Sequence, residues 1–170
     1  SFTMSLLQRP LQLIGASIAQ VYYQKASELY NEGNDLWIIS KKLIERLIVI
    51  AIFIFTPIAV AGPTIFSFVF GEKWVESGII ARIILPWLII RFIVSPLTNI
   101  INIFGKQKSF FFLTLLLNVS IPILLFILLV NKINFYLSLF IVSIFIALYF
   151  LIIILWIRKL LLYERNKVTQ

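Results

Sequence analysis

Two stretches of this chain, 109–130 and 135–157, are built almost wholly of Leu, Ile, Phe and Val. Runs of that length decide the solvent. A strand in a soluble core is much shorter, whereas an α-helix needs about 20 apolar residues to cross the roughly 30 Å hydrocarbon layer of a bilayer. Inside that layer the backbone must satisfy its own polar groups, so the runs predict helices. Composition agrees, with 61% of the 170 residues hydrophobic, against about half in a soluble domain. The expected fold class is all-α integral membrane, with about five transmembrane helices.

The spans are expected near 5–24, 43–61, 79–103, 109–130 and 135–157. The first is weakly apolar and dotted with polar groups. The apolar character of the second continues through "PTIFSFVFG". The linker 25–42 holds turn signals at Gly33, Asn34 and Asp35, and Asn34 or Asp35 is placed to cap a new helix. Trp37, Lys41 and Lys42 follow, the pattern of an anchor helix lying in the membrane interface. Residues 158–170 form a tail. The start, "SFTMSLLQRPLQLIG", lacks the basic, apolar and small-residue regions of a signal peptide. It begins abruptly near a hydrophobic stretch, so the chain reads as a segment of a longer protein.

Charge orders the connections. Lys25, Lys41, Lys42 and Arg46 surround the first, Lys106 and Lys108 the third, and Arg158, Lys159, Arg165 and Lys167 occupy the tail. The two regions that alternate with these hold only Lys73 and Lys132. Ten cations against two is a positive-inside pattern. It predicts a multi-pass protein with its C-terminus in the cytoplasm and residue 1 on the far side. The net charge of +8 then points to membrane lipid headgroups, and no basic soluble face is visible for nucleic acid. The chain has no cysteine and no histidine. Disulfides and thiolate metal sites are excluded, the commonest general base is missing, and no cofactor or metal is expected.

Polar groups recur at helical spacing within two spans. Arg9, Gln12, Ala16, Ala19, Gln20 and Tyr23 fall on one face of the first. Arg91, Ser95, Thr98, Asn99 and Asn102 fall on one face of the third. Polar stripes in lipid turn toward other helices or a water-filled cavity. Arg91 sits too deep to snorkel easily, and its planar group of five donors suits a carboxylate or phosphate. The acids Glu28, Glu32, Asp35, Glu45, Glu72, Glu76 and Glu164 all lie in or beside connections. Arg9 and Arg91 therefore have no carboxylate partner at membrane depth in this chain, and no proton relay or sodium site is expected wholly within it. Arg82, near the less basic end, is expected to snorkel to headgroups as an anchor. Six prolines, Pro10, Pro57, Pro63, Pro86, Pro96 and Pro122, lie in or beside the spans, which fits a bundle of bent helices.

Three motifs carry a resemblance over roughly residues 8–110. "RPLQLIGASIAQVYYQKASELYNEG" resembles the second helix of the C-terminal lobe of Wzx-type polysaccharide flippases. "FGEKWVESG" resembles a loop motif of that family, and "ILPWLIIRFIVSPLTNIINIFGKQK" the helix after it. Gln24 departs from the pattern, which has proline there. These flippases belong to the multidrug/oligosaccharidyl-lipid/polysaccharide exporter superfamily. The resemblance implies a MATE-like transporter of two six-helix lobes, of which this chain is most of the C-terminal one. It implies the bacterial or archaeal cytoplasmic membrane, a missing N-terminal lobe of the same chain, a coupling ion, and an undecaprenyl-diphosphate-linked oligosaccharide moved from inner to outer leaflet by alternating access. Arg91 and Arg9 are then candidates for the diphosphate or acidic sugars, and Gln12, Gln20, Asn99 and Asn102 for sugar hydroxyls. A drug or metabolite exporter of the same superfamily is the alternative, although a cationic drug would want acids that this chain does not supply. A membrane polymerase or acyltransferase would need a base or nucleophile near the bilayer. A purely structural membrane subunit would not need the polar stripes.

Overall fold

The computed structural model describes the backbone of residues 2–168 and the side chains of residues 15–165. Among these residues every regular element is helical. In order they are α1 (Phe2–Asn31), α2 (Trp37–Phe70), a 3-10 turn at Glu72–Trp74, α3 (Val75–Val94), a 3-10 segment at Ser95–Asn99, α4 (Ile100–Ile103), α5 (Gln107–Val130) and α6 (Phe135–Val168). Four stretches, Trp37–Phe70, Glu72–Ile103, Gln107–Val130 and Phe135–Arg165, are long and apolar enough to cross a membrane. α1 matches them in length but carries the polar stripe. The chain is an all-α, multi-pass membrane protein.

The helices run past the apolar windows. α2 has 34 residues, about 50 Å at 1.5 Å per residue, well beyond the hydrocarbon layer. Hydropathy marks only the part in oil, whereas backbone hydrogen bonding continues until a stop signal. This redraws the 25–42 region. No separate interfacial helix forms there: α1 continues to Asn31, supported by Lys25 donating to Glu28 at 2.8 Å, and α2 begins at Trp37. Gly33, at φ 71°, ends α1. The Asp35 carboxylate then accepts from the Trp37 amide at 2.8 Å, as expected of a residue opening a helix.

Three helix ends use the same closing pattern. The Gly33 amide donates to the Tyr30 carbonyl and the Asn34 amide to that of Leu29. Gly105 and Lys106 repeat this on Asn102 and Ile101, and Lys132 and Ile133 on Leu129 and Leu128. This is a Schellman motif, whose first residue outside the helix is left-handed and usually glycine. Lys132 adopts φ 52° without being one.

The span Glu72–Ile103 is the centre of the bundle, with α1, α2 and α6 packed on it. Leu47, Ala51 and Phe55 of α2 meet Ile84, Leu85, Leu88 and Phe92 of α3 in one buried cluster. A second joins Tyr22 and Ala26 of α1 to Leu97, Ile100, Ile153 and Ile157. α5 packs chiefly on α6, through Leu117, Leu128, Val142 and Ile146. Two ends result. Asp35 pairs with Arg165 at 3.3 Å, Arg158 lies 5.8 Å from the Trp37 ring, and Tyr30 meets Phe104 edge-on. The three cation-rich regions thus share one end. At the other, the Tyr136 hydroxyl donates to Glu76 at 3.0 Å.

Arg82, whose position suggests a headgroup anchor, also has partners inside the bundle. Its Nε donates to the Ala59 carbonyl and its Nη2 to that of Val60, both at 2.7 Å. The reason lies in α2. Pro63 has no N–H to return to Ala59, and the helix is interrupted at Ala61, with φ −123° and ψ 21°. Arg82 supplies the missing donor from the neighbouring helix.

Candidate functional site

Proline again sets the local geometry of the site. Pro96 cannot donate to the Phe92 carbonyl, and the chain tightens into 3-10 geometry over Ser95–Asn99. The Thr98 hydroxyl donates to the Ser95 carbonyl at 2.7 Å, closing this tighter turn. α1 crosses at this break. The Asn99 amide donates to the Ala19 carbonyl at 3.3 Å, tying the two elements together. One turn along, the Tyr22 hydroxyl and the Ser40 hydroxyl lie 2.7 Å apart in the interior, and Ser40 donates to the Leu36 carbonyl at 2.7 Å. These bonds hold α1 against both the broken span and the start of α2.

Between α1 and the break lies an open cleft of about 390 Å³, lined by Ala16, Ala19, Gln20, Tyr23, Asn99 and Asn102. The two polar stripes therefore meet, and Gln20, Asn99 and Asn102 come together as a site. Alanines at 16 and 19 leave the space. The polar groups lining it are amides and a phenol, so these side chains offer neutral donors and acceptors suited to hydroxyls and amides. Arg9 and Gln12 lie on α1, outside the residues whose side chains are described.

Arg91 stands apart from this group. Its guanidinium carbon lies 5.7 Å from the centre of the Trp87 ring, one turn back along α3. It is half-buried, and among the described residues it forms no ion pair. The expectation of a single stripe from Arg91 to Asn102 fails because the helix changes its pitch between them. A 3-10 turn advances 120° per residue rather than 100°, so five such residues shift the phase by about 100°. Arg91 and the cleft residues therefore cannot be placed on one face by α-helical counting. A cation over an aromatic face is stabilised by about 0.5–2 kcal/mol, which gives Arg91 a partner that a search for acids would miss. Arg82 was likewise outside the stripes. Its signal was Pro63 four residues after Ala59, with a glycine on each helix, Gly62 and Gly78, at the crossing.

Fold and site together define a multi-pass membrane protein with a polar cleft at a proline-broken span. No protein family, curated protein or solved structure matches the chain.

Proposed function

We propose that the chain serves membrane transport of a lipid-linked oligosaccharide, as a lobe of a Wzx-type polysaccharide flippase. The observation that carries this reading is the cleft where Gln20, Tyr23, Asn99 and Asn102 converge. Neutral amides and a phenol suit the hydroxyls of a sugar, which must exchange water for other partners while crossing. Arg91, away from the cleft and, among the described residues, in contact with the Trp87 ring and in no ion pair, keeps donors for a diphosphate, whose charge is costly in a layer of low dielectric. Sugar and diphosphate would thus be held at separate places on one span. The open side of the cleft would face the companion lobe, and the charge asymmetry of the two ends supports a cytoplasmic position for the basic one.

The test is complementation in a strain whose surface polysaccharide depends on this protein. Arg91→Gln and Asn102→Leu should each lower surface polysaccharide while the protein stays at normal level in the membrane. Full surface polysaccharide from both variants would overturn the reading.

A further inference from the structure

Gly62 and Gly78 bring α2 and α3 into backbone contact just beyond the break in α2. A Cβ at Gly78 would lie 2.4 Å from the Pro63 Cα and 2.6 Å from the Gly62 carbonyl oxygen, so only glycine fits. Arg82 is one turn further along α3, on the same face, and reaches the carbonyls on the other side of the break. Beyond the break, the outer part of α2 runs to Phe70, reverses at Gly71, which has φ 96°, and returns through the Glu72–Trp74 turn into α3. Residues 63–77 are thus a loop of chain closed at its neck by the glycine contact and the two Arg82 hydrogen bonds. Its tip is exposed at Phe68 (91%), Val69 and Phe70, while its flanks are tied by the buried Phe66 and by the Tyr136 hydroxyl, which donates to Glu76 at 3.0 Å.

We propose that Arg82 is the latch of a hinge at Ala61, and that its guanidinium on the Ala59 and Val60 carbonyls holds the 63–77 loop in one orientation. Within α2 the proline has removed the hydrogen bond that would stiffen the joint. The replacement comes from a side chain on another helix, so it can be made and broken without unfolding α2. A planar group bonded at two points fixes an angle, which a single-point ammonium does not. When α3 slides against α2, both acceptors are lost together and the loop is free to swing. Arg82 is in this sense a positioning residue for the end of the bundle opposite the cationic one.

The chain has no cysteine, so two labels can be introduced cleanly. Spin labels at Phe68→Cys and Leu129→Cys, both exposed, report the distance from the loop tip to α5 in the intact chain in lipid nanodiscs. The parent should give one narrow distance peak. Arg82→Gln should lose that single peak. Adding Pro63→Ala to Arg82→Gln restores the main-chain donor to Ala59 and should restore it. An unchanged distribution in Arg82→Gln overturns the proposal. So does equal broadening with and without Pro63→Ala, which would mean that Arg82 acts by anchoring at the interface. Should Arg82→Gln fail to fold, Arg82→Lys decides: it keeps the charge and one point of attachment, and should broaden the peak, whereas a distribution identical to the parent's overturns the latch.

Discussion

Placing one methyl group at Gly78 tests a close backbone crossing between α2 and α3. The new Cβ would meet the Pro63 Cα at 2.4 Å and the Pro63 nitrogen and Gly62 carbonyl oxygen at 2.6 Å. Ordinary carbon contacts begin near 3.5 Å, so the helices must part by about 1 Å. Backbone atoms cannot rotate away, and the 2.7 Å Arg82 hydrogen bonds one turn along would stretch with the separation. Overpacking of this kind costs about 1–3 kcal/mol, and the backbone contact puts it at the upper end. Alanine recovers about 1 kcal/mol of helix propensity. The net expectation for Gly78→Ala is a loss of about 2 kcal/mol, roughly a 30-fold shift toward the unfolded state. Two further glycines calibrate the measurement. A Cβ at Gly62 meets the Gly78 oxygen at 3.0 Å and the movable Arg82 Cγ at 3.2 Å, so Gly62→Ala should cost less. A Cβ at Gly15 meets nothing within 4 Å, so Gly15→Ala should stabilise by the propensity alone. Unfolding in mixed micelles by SDS titration, followed by circular dichroism, gives the order. A Gly78→Ala protein as stable as the parent would refute the close crossing.

Four other substitutions have definite expected outcomes in the same assay. Lys132→Gly should stabilise by roughly 0.5–1 kcal/mol, because a left-handed residue at a helix end favours glycine. Tyr22→Phe leaves Ser40 still bonded to Leu36 and should cost about 1 kcal/mol, whereas Ser40→Ala leaves the buried Tyr22 hydroxyl without that partner and should cost more, up to about 3. The Ser143 hydroxyl is buried and unpartnered among the described residues, so Ser143→Ala should be neutral or stabilising by about 1 kcal/mol.

Different parts of the structure were legible to different degrees. The apolar runs marked α5 and the start of α6 almost to the residue, because polar turns at 104–106 and 131–134 also stop the helices, but α6 continues past 157 to Val168 through residues that hydropathy assigned to a tail. Gly33 announced one of the three closing turns, Gly105 closes the second, and Lys132 hid the third because its side chain says nothing of left-handed backbone. Two stripes could be read from spacing, and Gln20, Asn99 and Asn102 did meet. Arg91 could not be placed by the same count, since Pro96 changes the pitch on which the count depends. The Arg82 partners were hidden for a related reason. A proline shows in sequence as a lost donor, but which side chain replaces that donor depends on a crossing between helices that only the folded chain defines.

α6 differs from its neighbours in one respect that bears on mechanics. Every other long helix contains a proline, and α6 contains neither proline nor glycine over its 34 residues. Its start touches Glu76, at the edge of the hinged loop, and its last turn touches Asp35, in the link between α1 and α2. A single stiff strut thus reaches contacts at both ends of a truss whose other members are jointed. Tilting it by a few degrees moves both ends at once and in opposite directions, so a displacement on one side of the membrane has a direct mechanical counterpart on the other.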